Sequence, residues 1–351
     1  MKRIAIIPGD GIGIEVTREA VKVLQTIVQV TGTELDLVPF DLGAEKYLRE
    51  GVTLPEGMLD VFRREFDAIF LGALGDPRVP DMKHASDILF GIRFGLDLYA
   101  NVRPVRLLHS KLTPLKHRTE KDINFTVIRE NTEDMYVGIG GFFKKNTDDE
   151  VAIQESINTR KGVQRVIEFA FKLAESKGAT TVTMADKSNA LRFGHDLWQR
   201  VFGHVGRQYP HIRPNHWYID ALAMQMIRDP GQFQVIVTSN VFGDIITDIG
   251  AQLQGGLGMA ASANINPDGV CMFEPVHGSA PTFAGKNIAN PLGAILTAQL
   301  MLEYLGLKAE AQLIENAVGQ CILDDRTTQD IGGTLTTVEA GDAVCQAIRT
   351  Q

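Results

Sequence analysis

Cysteine is scarce: Cys271, Cys321 and Cys345 are the only three in 351 residues. The count is odd, the spacings are wide and no CxxC pair occurs. That excludes a disulfide framework and a structural zinc site, and it fits a reducing cytoplasm. Long hydrophobic runs are absent as well. No segment approaches the roughly 18 apolar residues of a membrane span. The apolar run at 4–7, behind Met1, Lys2 and Arg3, is too short for a signal peptide. A soluble, cytoplasmic protein without a membrane partner is therefore expected. Positive charge is the minority: 35 Lys and Arg stand against 43 Asp and Glu, a net charge of −8. No nucleic-acid partner is expected, and an anionic ligand must be held by a local basic cluster rather than by the overall field. The sequence also lacks HExxH, Gly-x-Ser-x-Gly and Gly-x-x-x-x-Gly-Lys-Ser/Thr. Zincin, α/β-hydrolase and P-loop chemistry lose their main support. Repeats, low-complexity tracts and Pro/Ser-rich linkers are missing too.

What is present suits about two globular domains. Apolar residues make up 44% and charged residues 22%, which rules out general disorder. Short apolar runs at 4–7, 35–38, 68–71, 180–184 and 234–238 read as strands. Helical spacing is clear at 15–30, at 160–177 (closed by Gly178) and at 290–305 (opened near Pro291). Strand–helix alternation with buried strands predicts an α/β protein with a mainly parallel sheet. The most loop-like internal stretch is 138–153.

Four features carry chemistry. First, Gly9-x-Gly11-x-Gly13 follows the first strand. A dinucleotide fingerprint needs its third glycine one position later, and Glu15 would sit where a pyrophosphate binds, so the spacing argues for a tight turn. Second, Arg93, Arg103 and Arg129 lie within or at the end of apolar stretches. One such arginine is usually a structural ion pair; three could instead converge on a small polycarboxylate. Third, Asp244 and Asp248 share one helix face at i,i+4. A lone DxxxD is usually a solvated face, but Ile245, Ile246 and Ile249 surround this pair, which predicts a half-buried helix and shifts the balance towards Mg²⁺ or Mn²⁺. Fourth, Lys187 stands at a strand's carboxyl end, where α/β sheets place their crevice sites. Taken alone, Lys187 is more often a surface residue, and Asp220 carries the same ambiguity.

Five segments taken together resemble the β-decarboxylating dehydrogenases, the isocitrate/3-isopropylmalate dehydrogenase family. They are Ile7-Pro8-Gly9-Asp10-Gly11-Ile12-Gly13, Leu98-Tyr99-Ala100-Asn101-Val102-Arg103-Pro104, Arg129-Glu130-Asn131-Thr132-Glu133, the run 240–248, and Phe273-Glu274-Pro275-Val276-His277-Gly278-Ser279-Ala280-Pro281. The resemblance implies an isopropylmalate dehydrogenase-like two-domain α/β fold, not a Rossmann fold. It implies a discontinuous large cofactor-binding domain (1–99 and 250–351) and a small domain (100–249) that carries the dimer interface and a clasp loop near 138–153. It further implies a homodimer with shared active sites that oxidises a 2-hydroxy diacid at C2 with loss of the β-carboxylate.

By the same resemblance Arg93, Arg103 and Arg129 hold the malate-type carboxylates. Asp244 and Asp248, with Asp220 of the other subunit, bind Mg²⁺ or Mn²⁺. Lys187 of the neighbouring subunit assists removal of the hydroxyl proton, and Tyr136 protonates the enol carbon. Glu274, His277, Gly278, Ser279, Ala280 and Asn290 match the cofactor loop. Two departures stand out. Thr282 replaces the acidic residue that NAD-dependent members commonly carry, yet the Lys-Tyr pair of NADP enzymes is also missing, which leaves NAD favoured. Leu89 and Phe90 suit an alkyl substituent, and Asp87 would repel a third carboxylate, so 3-isopropylmalate is expected ahead of isocitrate or homoisocitrate. Lys187-Ser188-Asn189 and the run 103–107 also resemble D-malate/tartrate dehydrogenases. A noncatalytic regulatory subunit is the reading from a different class, and it predicts missing catalytic residues, whereas Tyr136, Lys187 and all three aspartates are present.

Overall fold

The computed structural model describes residues 1–351. In chain order the elements are β1 (Lys2–Ile7), α1 (Ile12–Thr31), β2 (Leu35–Pro39), α2 (Ala44–Glu50), α3 (Met58–Glu65), β3 (Ala68–Leu71), α4 (Lys83–Gly95), β4 (Ala100–Arg106) and β5 (Asn124–Glu130). Then come β6 (Gly140–Phe143), β7 (Val151–Gln154), α5 (Arg160–Ser176), β8 (Thr181–Asp186), α6 (Arg192–Gly206), β9 (Arg213–Tyr218), α7 (Ile219–Arg228), β10 (Val235–Thr238) and α8 (Asn240–Leu253). β11 (Ala261–Ile265), β12 (Cys271–Pro275), α9 (Leu292–Tyr304), α10 (Lys308–Leu323) and α11 (Thr337–Arg349) complete the chain. The fold is mixed α/β, and two compact units form: residues 1–98, 103–123 and 251–351 in one, 99–102 and 124–250 in the other.

The first unit takes residues 103–123, which the sequence reading places in the small domain. They stay there because Leu107 donates its N–H to the Ile123 carbonyl (3.0 Å), the Arg106 N–H goes to Gln254 Oε1 (2.7 Å), and Leu107 and Ile123 are both buried. In this unit β1 runs parallel to β2 and β3, and β12 pairs in parallel with β3 and antiparallel with β11. β3 is a four-residue run of buried apolar side chains, as a strand covered on both faces must be. Phe62, Ile69, Leu71, Ile88, Ile92 and Met272 belong to one apolar cluster that seats α4 against the sheet. On the other helices, α1 buries Val16, Ala20, Val23, Leu24 and Ile27 at 3.6-residue spacing and packs with α9 and α11.

The α1–α11 contact is close. A Cβ on Gly341 would lie 2.0 Å from Glu19 Oε2, and Glu19 is itself buried. Gly341→Ala is expected to destabilise by about 1–3 kcal/mol through overpacking, read as a lower Tm at unchanged kcat. A Tm equal to the parent's would show that the helices part at no cost.

In the second unit β5, β10, β8 and β9 are parallel neighbours. β8 and β10 are buried throughout, whereas the edge strand β9 is partly exposed and carries Pro214, which an edge tolerates. α5 starts at Thr159, whose hydroxyl accepts the Gly162 N–H (3.0 Å), and stops before Gly178 at φ +66°, the stop the sequence predicts. The loop-like stretch 138–153 is instead largely a two-stranded antiparallel hairpin, β6 with β7, and all eight of its strand residues are exposed.

Candidate active site

Parallel strands end on the same side, and in the second unit that side collects the chemistry. Thr238 of β10 registers with Arg129 of β5 and with Ala185 of β8, and Asp186 of β8 registers with Tyr218 of β9. Arg129 therefore sits at the carboxyl end of β5. Lys187 immediately follows β8, Asp220 follows β9, and α8, with Asp244 and Asp248, follows β10. Open α/β sheets bind ligands at this edge.

Two constellations form there. In the first, Arg129 is 2% exposed; its Nε donates to Asn240 Oδ1 (2.9 Å) and its Nη1 to Asp244 Oδ1. Tyr136 donates its hydroxyl to Asp244 Oδ2 (3.2 Å), and the guanidinium lies 5.2 Å from the Tyr136 ring centroid. Burial, with Asp244 nearby, pushes the Tyr136 phenol up against the opposing pull of Arg129. It is therefore a proton donor at neutral pH. Asp244 is half-buried and Asp248, one turn on, is exposed. In the second, Lys187 Nζ lies 2.8 Å from Asp220 Oδ1, and this bond holds the exposed Asp220 below the usual carboxylate range.

No group of three His, Cys, Asp or Glu side chains within the one chain is close enough to hold a metal ion. Asp244 and Asp220 thus belong to separate pairs here. The half-burial expected for α8 is observed, with one face buried and the other open. Ile246 is buried, but Ile245 is 57% exposed, so this isoleucine does not shield the carboxylates. On a helix that follows β10, 100° of rotation carries Ile245 from the sheet-facing side to the open one.

The first unit holds the remaining candidates. On α4 Leu89 and Phe90 are partly exposed. The Phe90 ring stacks on Phe94 (5.6 Å), and the Arg93 guanidinium lies 5.9 Å from the Phe90 centroid. Arg93 is buried. Its Nη2 donates to Glu274 Oε1 (2.7 Å), an oxygen that also accepts from Asn264 Nδ2 (2.8 Å), and its Nε is a buried donor without a partner. Arg103 is buried in β4. Arg93 and Arg129 are thus ion-paired in the free chain, the structural alternative, while Arg93 keeps one donor in reserve.

The 277–280 segment lies against the glycine turn. Ile12, at the start of α1, donates its N–H to the Ser279 carbonyl (2.9 Å), and a Cβ on Gly11 would meet that oxygen at 2.2 Å. The first free N–H of α1 is thereby spent on the chain itself, and Glu15 accepts from Gly285 N–H, so this turn is no pyrophosphate cradle. The tight-turn reading describes it. His277 donates Nδ1–H to the Gly278 carbonyl (3.0 Å), which leaves Nε2 a buried acceptor without a partner; burial pushes this imidazole down, so the acceptor is neutral. Ala280 takes φ +38°, Gly278 is open, and Asn290 bridges Leu292 N–H (2.9 Å) and Asp330 (3.0 Å).

Several residues escaped the sequence reading. Asp10 is buried and accepts from Ala44 N–H (2.6 Å), Gly75 N–H (2.8 Å) and His84 Nε2 (2.9 Å), tying the glycine turn to α4. Asp134 accepts from Val241 N–H (3.0 Å) in the first turn of α8, and Asp186 accepts from His216 and Gln199 beside Lys187. The one signal available for Asp10 was its place between two glycines.

The whole-chain comparisons agree with this geometry. A family model described as isocitrate/isopropylmalate dehydrogenase matches residues 3–344. The 3-isopropylmalate dehydrogenase of Thermobifida fusca (strain YX) is 43% identical over 351 residues, covering 99% of this chain and 98% of that one. That of Nocardia farcinica (strain IFM 10152) is 44% identical over 349 residues, covering 99% and 100%. Among solved structures, the crystal structure of isocitrate dehydrogenase from Methylococcus capsulatus aligns with a TM-score of 0.90 at 36% identity, covering 99% of this chain and all of that one. With Arg129, Asp244, Tyr136 and Lys187 collected at the strand ends of the second unit and a match along nearly its full length, this chain belongs to the isocitrate/isopropylmalate dehydrogenase family of oxidoreductases.

Proposed function

We propose that this protein catalyses the NAD- and divalent-metal-dependent oxidative decarboxylation of a 2-hydroxy diacid, with 3-isopropylmalate as its substrate. The observation that carries the reading is the convergence of Arg129, Asp244, Lys187 and Asp220 on the carboxyl ends of four adjacent parallel strands. Relatives named 3-isopropylmalate dehydrogenase at 43–44% identity support the substrate, as do the partly exposed apolar Leu89 and Phe90 on α4. The fold itself does not discriminate, since an isocitrate dehydrogenase shares it.

Asp220, Asp244 and Asp248 would hold Mg²⁺ or Mn²⁺. All three are carboxylates with exposed or half-exposed oxygens, the hard donors such ions take, and Asp220 is held ionised by Lys187. When bound there, the cation would supply Lewis acidity for polarising the C2 oxygen. NAD would supply the hydride acceptor. The unpartnered His277 Nε2 and the open Gly278 fit an adenosine-bearing ligand, with Glu274, Ser279, Ala280 and Asn290 shaping that loop. Arg93, Arg103 and Arg129 would bind the substrate carboxylates, the spare Arg93 Nε–H donating to one more oxygen. Lys187 would assist removal of the hydroxyl proton, and the protonated Tyr136 would deliver one to the enol carbon.

The test is turnover of 3-isopropylmalate, D-malate, tartrate and isocitrate with Mn²⁺ and either NAD or NADP, followed by nicotinamide absorbance. The highest kcat/KM is expected for 3-isopropylmalate with NAD. Leu89→Ser with Phe90→Ser should cost that acid about 10–100-fold in kcat/KM, one buried side chain's burial being worth about 1.5–3 kcal/mol, and should cost D-malate far less. Dominant D-malate or tartrate turnover, which Lys187-Ser188-Asn189 would favour, transfers the reading to that substrate. No turnover of any of these acids defeats it.

A homodimer is part of the proposal. A lone two-stranded hairpin is marginal in water, yet β6 and β7 expose Phe142 (60%), Phe143 (64%), Val151 and Ile153 together. α7 and α8 expose Met224, Ile227 and Ile245. Such patches mark interaction surfaces, and a second copy would supply Lys187 and Asp220 to the first copy's Asp244. Phe142→Ser with Phe143→Ser is expected to shift the protein towards monomer in light scattering and lower activity in parallel. An unchanged dimer would remove the hairpin from the interface.

A further inference from the structure

We propose that His195 is the positioning residue for Lys187, acting as a neutral hydrogen-bond acceptor for the lysine's own backbone N–H. The role rests on the proposed proton transfer by Lys187 and goes beyond it. β8 ends at Asp186, and the chain leaves it in a turn. Ala190 and Leu191 both donate N–H to the Lys187 carbonyl (2.9 and 2.8 Å), whereas the Lys187 N–H points back and donates to His195 Nδ1 (3.0 Å). No strand or helix partner receives that N–H. The turn carrying the lysine is therefore closed from one side by backbone and from the other by one side chain.

That side chain is itself fixed. His195 is 2% exposed in the first turn of α6, where its N–H donates to Leu191 O (3.0 Å). Its ring meets Phe242 edge to face at 5.4 Å. Because Nδ1 accepts, the neutral ring carries its proton on Nε2. Burial pushes this imidazole down, against the opposing pull of Asp186 and Asp134, so the acceptor form prevails at neutral pH. Asp186 secures the neighbouring residue: its carboxylate accepts from Ser188 N–H (3.1 Å), Gln199 Nε2 (3.1 Å) and His216 Nε2 (2.9 Å). Lys187 Nζ reaches Asp220 from this frame. A proton-transfer group displaced by about 1 Å loses on the order of 10²-fold in rate, so freeing the turn would be felt in the chemical step rather than in binding.

The test compares His195→Leu, which keeps bulk and removes the acceptor, with His195→Asn, whose Oδ1 can take the place of Nδ1. In the leucine variant kcat is expected to fall about 10–100-fold, with the KM for the acid within about twofold. In the asparagine variant kcat should stay within about threefold of the parent. Amide hydrogen exchange at Lys187, read on the intact protein without substrate, should accelerate in the leucine variant and stay slow in the asparagine one. Equal kcat and equal Lys187 protection in parent and leucine variant overturn the proposal, as does an asparagine variant that falls as far as the leucine one. If the parent turns over no 2-hydroxy diacid, the proposed function fails by itself, while the exchange comparison still decides whether His195 holds Lys187.

Discussion

Lys187→Ala should lower kcat by about 10²–10⁴-fold, the usual contribution of a positioned proton-transfer group, while leaving metal affinity nearly intact. The second half of that expectation follows from the Lys187–Asp220 pair. The lysine bond holds Asp220 below the usual carboxylate range. Removing the lysine lets that pKa return upward, yet an exposed carboxylate near its ordinary value of about 4 is still ionised at pH 7. The ligand charge offered to the proposed Mg²⁺ or Mn²⁺ therefore survives, and the loss should appear in kcat with the Mn²⁺ concentration dependence little changed. By linkage, a depressed carboxylate contributes stability above its unfolded pKa and loses it as pH falls through the folded one. Because Asp220 is largely solvated, the accompanying stability change should be small at any pH. Added small alkylamines should restore part of the lost rate in the alanine variant. An alanine variant with parental kcat would remove Lys187 from the chemistry, and one that loses Mn²⁺ dependence would recast it as a metal-site residue.

What the sequence made legible was whatever is local. β3 coincides with the run expected at 68–71, and the start of α5 with the helix expected at 160, because an unbroken buried strand and a one-faced helix each write their period into consecutive residues. Arg93, Arg129, Lys187 and the two aspartates of α8 stood out because charge interrupts apolar sequence there. Their partners were not legible. Arg129 and Asp244 are 115 residues apart, and Arg93 and Glu274 are 181 apart. Nothing in either local pattern encodes such a meeting. The hairpin of β6 and β7 escaped for the opposite reason: with no face buried in its own chain it has no inside–outside alternation to read, only glycines and a charged turn. Ile245 misled because apolar character does not by itself report burial within the chain, and this side chain is exposed. Asp10 and His195 act through backbone N–H groups supplied by distant or turn residues, a role that residue type alone does not announce.

The helix that carries the aspartates depends on one glycine, and its substitution has the largest expected structural effect. Gly243 lies on the face of α8 that meets Arg129; a Cβ there would be 2.5 Å from Arg129 Cγ, 2.6 Å from its Cβ and 3.2 Å from its Cα. The far end of a flexible side chain could yield, but Arg129 cannot withdraw at its Cα, because β5 is held in register by β10. Either α8 shifts outward, carrying Asp244 and Asp248 with it, or the guanidinium abandons Asn240 and Asp244. An ordinary helical Gly→Ala change gains about 0.5–1 kcal/mol. Here overpacking costs about 1–3 kcal/mol, and stranding a buried guanidinium costs about 3–5 kcal/mol where the pair is fully buried, less here because Asp244 is half in solvent. The cost therefore exceeds the helix gain, and Gly243→Ala should lower Tm and raise the KM for the diacid together. Gly319→Ala on α10 is the comparator, since nothing lies within 4 Å of its would-be Cβ. It should be neutral or stabilising by about 0.4–1 kcal/mol. If the two alanine variants match in Tm and in KM, Arg129 and α8 are not locked together, and the geometry that sets a guanidinium beside the proposed metal-ligand helix has no functional weight.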